Sequence, residues 1–201
     1  MIDVRAIDFE KGGGLVPAII QHVRTGQVLM LGYMNAEAVE RTIRDNLVTF
    51  YSRSKNRLWT KGETSGNHLQ LDSIQIDCDR DTILVKAHPQ GPVCHLGEPT
   101  CFAEDVPPPL SFLAQLELII DQRREADPDE SYVAGLLAKP ISKIAQKVGE
   151  EGVETALAAV GEDNEDLKNE AADLVFHLQL MLRARGLSLG DVVETLAGRH
   201  R

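Results

Sequence analysis

Glu104-Asp105-Val106-Pro107-Pro108-Pro109 divides the 201-residue chain into two segments written with different hydrophobic periods. Consecutive prolines favour an extended conformation and forbid helix, so this stretch reads as a stiff linker. The only tryptophan, Trp59, and all three cysteines precede it. The division predicts a domain over residues 1–104, a Pro-rich linker over 105–110 and a second domain over 111–201. The fold class expected is α+β, a mostly-β domain followed by an all-α helical bundle.

Before the prolines the pattern is that of strands. Leu15 to His22 and Gln27 to Met34 are apolar, with Thr25-Gly26 marking the turn between them. Asn35 is placed to cap a helix through about Asp45, where Ala38, Val39, Thr42 and Ile43 have helical spacing. Further strands are predicted at Leu47–Ser52, Leu69–Cys78 and Thr82–His88. Ser73-Ile74-Gln75-Ile76-Asp77-Cys78-Asp79 alternates, so an extended chain would set Asp77, Asp79 and Asp81 on one face and Cys78 on the other.

After the prolines the period lengthens. Leu113, Leu116, Leu118, Ile119 and Ile120 predict a helix from Ser111, and a second is expected over Glu130–Ala138. A third follows Pro140, a residue suited to a first helical turn, and runs to about Val160. Asn164 caps a fourth that Gly186 ends. Ser188 opens a last short helix, with Asp191 near its N-terminal dipole.

The charge narrows the function classes. The net charge of −10 is concentrated after residue 104, where 10 Lys and Arg face 18 Asp and Glu. Such a chain repels a phosphate backbone and is not expected to bind nucleic acid. Met1-Ile2-Asp3-Val4-Arg5 lacks a basic-then-apolar signal, and no apolar run approaches membrane-spanning length. The expected location is the cytoplasm, with no membrane partner.

Cys78, Cys94 and Cys101 lie in one short acidic stretch. A disulfide with a spare thiol, or three buried apolar residues, are the other readings. In a reducing compartment clustered cysteines are more often metal ligands or catalytic. Three thiolates suit Zn2+ and leave its fourth tetrahedral position open. Zinc lowers the pKa of water bound at such an open position from about 15.7 to about 7. The hard oxygens of Asp77, Asp79 and Asp81 suit Mg2+ instead.

The helical half carries a second acidic group. Glu150, Glu151 and Glu154 fall within about 100° of arc on one helix, because their spacings are i,i+3 and i,i+4. Glu170 and Asp173 are i,i+3 on the next, with His177 one turn on. Acidic residues on a helix usually form a solvated face. Here the apolar stripe Leu167, Ala171, Leu174, Leu178 and Leu182 borders Glu170 and Asp173, which predicts carboxylates at the edge of the core. Two facing acidic pairs make a magnesium–phosphate site. Lys139, Lys143 and Lys147 recur every four residues; they are either surface lysines or groups that neutralise substrate phosphates.

These segments together resemble two families. Gly32-Tyr33-Met34-Asn35, Thr49-Phe50-Tyr51-Ser52-Arg53-Ser54, Leu58-Trp59-Thr60-Lys61-Gly62-Glu63-Thr64-Ser65-Gly66-Asn67, Asp77-Cys78-Asp79-Arg80-Asp81 and Gly91-Pro92-Val93-Cys94-His95 resemble phosphoribosyl-AMP cyclohydrolase. Lys143-Ile144-Ala145-Gln146-Lys147-Val148-Gly149-Glu150-Glu151, with Glu154 and Glu170-Ala171-Ala172-Asp173-Leu174, resembles phosphoribosyl-ATP pyrophosphohydrolase, one of the all-α nucleotide pyrophosphohydrolases.

The pairing implies two successive hydrolyses in histidine biosynthesis, with the earlier reaction in the later domain. Phosphoribosyl-ATP would yield phosphoribosyl-AMP and pyrophosphate; the purine ring would then open between N1 and C6. The resemblance implies one Zn2+ per cyclohydrolase site, held by Cys78, Cys94 and Cys101, and Mg2+ at Asp77, Asp79 and Asp81. It implies a homodimer whose zinc ligands come from both subunits. His95 is the first candidate for moving protons and His68 the second. Arg53 and Lys61, with Lys55 and Arg57, form a basic loop for the substrate's phosphates, and Lys143 and Lys147 are the equivalents in the helical domain. Glu150, Glu151, Glu154 and Asp173 would hold magnesium, with Glu170 assisting or activating water. A general nucleotide triphosphate pyrophosphohydrolase and a non-catalytic zinc-binding dimer module are the competing readings.

Overall fold

The computed structural model describes residues 2–102, 109–161 and 163–200, so residues 105–108 of the expected linker lie outside it. The chain forms two compact units, Met1–Ser111 and Phe112–Arg201. The first is built on β1 (Val16–His22), β2 (Val28–Met34), α1 (Ala36–Asp45), β3 (Thr49–Ser52), β4 (Arg57–Thr60), β5 (Leu69–Ile76) and β6 (Ile83–Pro89). The second contains α2 (Ser111–Arg123), α3 (Tyr132–Leu137), α4 (Ile141–Ala158), α5 (Asn164–Ala184) and α6 (Leu189–Arg199).

In the first unit the main sheet has the order β2-β1-β6-β5. β1 and β6 are parallel, and the other two pairs are antiparallel. Alternation sets the core: Val16, Ala18 and Ile20 of β1 and Ile83, Val85 and Ala87 of β6 are fully buried. α1 closes this core with Ala38 and Val39. Its start is fixed by Asn35, whose side chain accepts the N–H of Ala38 at 2.8 Å. Arg57–Thr60, expected as part of a basic loop, is a strand paired with β3.

The acidic stretch departs from the expected strand. β5 stops at Ile76, and residues 77–82 form a turn. Asp77 and Thr82 close it: the Asp77 N–H donates to the Thr82 carbonyl at 3.1 Å, and the Thr82 N–H to Asp77 Oδ1 at 3.0 Å. Arg80 takes a left-handed φ of 67°. A reversal of the chain, rather than one face of a strand, therefore gathers the aspartates.

His22, at the end of β1, reports on this unit. Its Nδ1 accepts the N–H groups of Arg24 at 3.1 Å and Thr25 at 3.3 Å. Burial, followed by the charges of His88 and Arg24, holds its pKa below the ordinary value. A histidine depressed in this way binds fewer protons folded than unfolded. Its contribution is therefore present above about pH 6.5 and lost as pH falls through the folded value. His22→Gln is expected to flatten the fall of the thermal midpoint below that pH, followed through Trp59 fluorescence. An identical slope in both proteins would contradict the assignment.

In the helical unit, Ile120, Val133, Leu136, Ile144 and Leu180 form the core. Asp121 receives a two-pronged bond from Arg183, both contacts at 2.9 Å, which ties α2 to α5. The Leu189 N–H donates to Glu117, fastening α6 to α2. Ser188 and Asp191 form a reciprocal capping box at the start of α6. α5 is capped by Asp163 rather than Asn164. The stripe expected on α5 is only partly buried, whereas His177, Gln179 and Leu180 are buried. The core therefore lies on a face rotated from the predicted one.

Candidate active sites

Residues 93–102 form a strap fastened to the start of β2. The Thr100 hydroxyl lies 2.8 Å from the Val28 carbonyl and 3.1 Å from that of Leu29. The Cys101 N–H donates to the Leu29 carbonyl at 2.8 Å. A tight turn, with the Cys94 N–H on the Glu98 carbonyl at 2.9 Å, brings Cys94 back beside Cys101. Burial pushes the Cys101 thiol up and the neighbouring Cys94 adds to it, while Lys61 opposes the shift. Two adjacent thiols resist joint ionisation unless a cation lies between them, so their chemistry suits a thiolate-bound metal. Cys78 is exposed, and among the described residues the three thiols do not converge on one point. One chain brings together two of the three expected zinc ligands.

The two histidines differ in how they are held. His95 is exposed, its Nδ1 3.9 Å from Cys94 Sγ. His68 is half-buried, and its Nδ1 faces the Lys61 carbonyl at 2.9 Å. A carbonyl only accepts, so Nδ1 carries the proton and Nε2 of the neutral ring is left as the acceptor. Gly62 and Gly91 make room for this arrangement. A Cβ on Gly62 would stand 2.5 Å from the Asn67 carbonyl carbon and 2.6 Å from the His68 nitrogen; one on Gly91 would stand 2.4 Å from Asn67 Oδ1. Both also have positive φ, 87° and 154°.

Asp77, Asp79 and Asp81 present oxygens within 4.8 Å of one another, a spacing a divalent cation can use. Lys11 enters this group, which nothing in the sequence signalled. Its Nζ lies 2.8 Å from the Asp79 carbonyl, 3.3 Å from Asp79 Oδ2 and 3.5 Å from Asp81 Oδ2. Its ammonium holds the Asp79 carboxyl below the usual range.

A depression of about 340 Å³ lies beside the β3–β4 hairpin, with Lys55, Arg57 and Lys61 on its wall. Glu63 engages Arg57 at 2.9 Å, so Lys55 and Lys61 are the wall's other two cations. Arg53 is not on that wall and covers the Tyr33 ring at 3.8 Å.

In the helical unit, Glu151 and Glu154 of α4 and Glu170 of α5 present oxygens within 4.8 Å of one another. Glu154 is exposed, and its pKa is raised by desolvation first and then by Glu151 and Glu170. A divalent cation relieves that repulsion, so the donor set suits magnesium. Glu150 lies outside the group: it accepts from Lys147 at 3.0 Å and Gln146 at 2.8 Å. Asp173 is exposed one turn beyond Glu170 and is also outside it. Lys147 is shared with Glu151 at 3.1 Å, and Lys143 donates to Gln146 at 3.1 Å. Lys147 thus serves the carboxylates in this arrangement.

Two family matches correspond to these regions. Residues 30–103 match phosphoribosyl-AMP cyclohydrolase, and residues 113–200 match phosphoribosyl-ATP pyrophosphohydrolase. The chain is 56% identical to the histidine biosynthesis bifunctional protein HisIE of Photobacterium profundum, over 98% of each sequence. It is 54% identical to the protein of that name from Escherichia coli K12, over 98% of this chain and 97% of the relative. The corresponding Vibrio cholerae protein is 53% identical, over 97% and 94%.

Proposed function

The chain belongs to the histidine-biosynthesis bifunctional family, a phosphoribosyl-AMP cyclohydrolase joined to a phosphoribosyl-ATP pyrophosphohydrolase, and from that premise we propose how its residues divide the two reactions. The enzyme hydrolyses phosphoribosyl-ATP to phosphoribosyl-AMP and pyrophosphate, then opens the purine ring to the formimino carboxamide ribotide. The paired matches set aside a general triphosphate hydrolase and a non-catalytic zinc module. The functional division is drawn at residues 1–104, 105–110 and 111–201.

The observation that carries the proposal is the pairing of Cys94 with Cys101 while Cys78 stands apart. This supports a zinc site completed by Cys78 of a second copy, and hence a homodimer. α4 also leaves Val153 and Leu157 60% and 64% exposed at i, i+4 spacing, with Val160, 83% exposed, just beyond its end, an apolar patch that suits a second copy. Free thiols used as ligands fit a reducing cytoplasm. Among the described residues no helix is long and apolar enough to cross a membrane.

For ring opening, zinc held by Cys78, Cys94 and Cys101 would supply an acidified water at neutral pH. Adding that water to C6 and breaking N1–C6 turns its oxygen into the carboxamide carbonyl, so both of its protons leave. One reaches N1, and the other goes to the exocyclic nitrogen or, where that nitrogen is already protonated, to solvent. His68, with Nε2 free to accept, and His95, beside Cys94, are the groups assigned to that transfer. Lys61 and Lys55 attract the phosphates into the depression. Asp77, Asp79 and Asp81 provide the magnesium position of this unit.

For pyrophosphate release, magnesium held by the carboxylates would offset phosphate charge. Glu151, Glu154 and Glu170 are the central holders, with Glu150 and Asp173 at the periphery. Glu170, the member of the group contributed by α5, is assigned to orient water. Lys143 and Lys147 lie along α4 on the approach to the carboxylates.

A two-product time course tests this. Purified full-length protein with phosphoribosyl-ATP, magnesium and trace zinc is expected to release pyrophosphate first and the ring-opened ribotide after a lag. Activity on ordinary triphosphates with none on phosphoribosyl-ATP would overturn the reading.

A further inference from the structure

Glu151 is only 5% exposed, with Glu117 one of two buried acidic residues among those described in the helical unit, and a carboxylate is costly to bury without partners. Its partners come from two helices. Lys147, one turn earlier on α4, lies 3.1 Å from Oε1. His177 of α5, itself 4% exposed, places Nδ1 3.5 Å from the same oxygen.

His177 is held from both ends. Its Nδ1 lies 2.9 Å from the Asp173 carbonyl, and its Nε2 lies 2.9 Å from the Tyr132 hydroxyl on α3. Both neighbours of Nδ1 are acceptors, so Nδ1 carries the proton. Nε2 of the neutral ring is then an acceptor, and the Tyr132 O–H donates to it. Tyr132 and Phe176 flank the ring edge-on, with centroids 6.1 Å and 5.1 Å away. The imidazole therefore has a fixed plane, and its Nδ1–H edge rests against Oε1 of Glu151.

We propose that Tyr132 and His177 are positioning residues for the pyrophosphohydrolase reaction, locking the rotamer of Glu151 so that its carboxylate meets the metal already oriented. The inference rests on the assignment of Glu151, Glu154 and Glu170 as the magnesium site. Oε1, engaged by Lys147 and His177, anchors the carboxylate, which can then pivot only about that oxygen. Outer partners of this kind fix ligand direction at metal sites and typically change metal affinity or activity about 10- to 100-fold when removed. Tyr132 does so from the first residue of a short helix whose Ser131 cap sets its direction.

Calorimetric titration of Mn2+ into the zinc-loaded full chain tests the inference. The chain would carry Asp77→Asn and Asp79→Asn, so that the helical site is the one followed. Tyr132→Phe removes a single hydroxyl and keeps the ring, and it is expected to weaken Mn2+ binding about 10-fold. At saturating magnesium kcat should recover, while the magnesium needed for half-maximal rate rises. His177→Asn retains a donor toward Asp173 but is too short to place an acceptor where Nε2 meets Tyr132. Adding Tyr132→Phe to it should cost nothing more, because the two act as one unit. Wild-type Mn2+ affinity in Tyr132→Phe, with or without a lowered thermal midpoint, would overturn the inference, as would additive losses in the double variant. Glu154→Ala separates the premise: if it removes no Mn2+ binding, the metal-site assignment fails and the inference falls with it.

Discussion

Cys101→Ala is expected to abolish ring opening while pyrophosphate is still released from phosphoribosyl-ATP, so that phosphoribosyl-AMP accumulates. The strap that carries Cys101 is held by backbone and by Thr100, not by the thiol. The Cys101 N–H still reaches the Leu29 carbonyl in the alanine variant, and the Thr100 hydroxyl still reaches β2. Folding is therefore spared, and what disappears is one of the three soft ligands proposed for zinc. Removing even an outer-shell partner of a metal typically costs 10- to 100-fold, so losing a direct ligand is expected to lower ring opening by at least about 100-fold. Chromatography of the nucleotide products, alongside Trp59 fluorescence as a check on folding, measures both halves of the expectation. Loss of pyrophosphate release in a folded Cys101→Ala protein would mean that the two reactions are not divided as proposed.

Glu154→Ala should produce the opposite phenotype. Phosphoribosyl-AMP supplied directly is opened at the wild-type rate, while pyrophosphate release falls by at least about 100-fold on the same reasoning. Glu154 is a cleaner choice than Glu151, whose buried carboxylate is bonded to Lys147 and faces His177. Glu154 is exposed and crowded by like charge, so its folded pKa lies above the ordinary value. A carboxyl raised in this way binds more protons folded than unfolded. Its ionised form therefore weakens the metal-free fold above its folded pKa, and the penalty fades as pH drops through that value. Without metal, Glu154→Ala should unfold no earlier than wild type at neutral pH, with the two converging in acid. A lower midpoint for the variant at neutral pH would show that Glu154 makes a stabilising contact this arrangement lacks.

Much of this was legible in the sequence because the signals were local. The cap at Asn35, the helix start at Ser188 and the change of period at the prolines rest on neighbours within a few residues. Helix spacing placed Glu150, Glu151 and Glu154 on one arc. It did not decide which of them point at the facing helix, and packing selected Glu151, Glu154 and Glu170 over Glu150 and Asp173. The aspartates converge as expected but through a turn, because Arg80 adopts a left-handed backbone that alternation does not encode. Arg57–Thr60 was hidden by its brevity and basic flanks. Lys11 and Tyr132 carried no local signal at all: Lys11 is 68 residues from Asp79, and Tyr132 is 45 from His177.

The central claim, that the zinc site is completed between two chains, is tested most directly by mixing two inactive variants. Cys78→Ala and Cys101→Ala proteins would be unfolded together, refolded with zinc and assayed on phosphoribosyl-AMP. With Cys78 supplied by one subunit and Cys94 and Cys101 by the other, a mixed dimer regains one intact site of two. Random reassociation makes half the dimers mixed, so about a quarter of wild-type ring opening is expected from the symmetry of the pairing. Activity no greater than that of the two separate variants would show that each chain builds its zinc site alone.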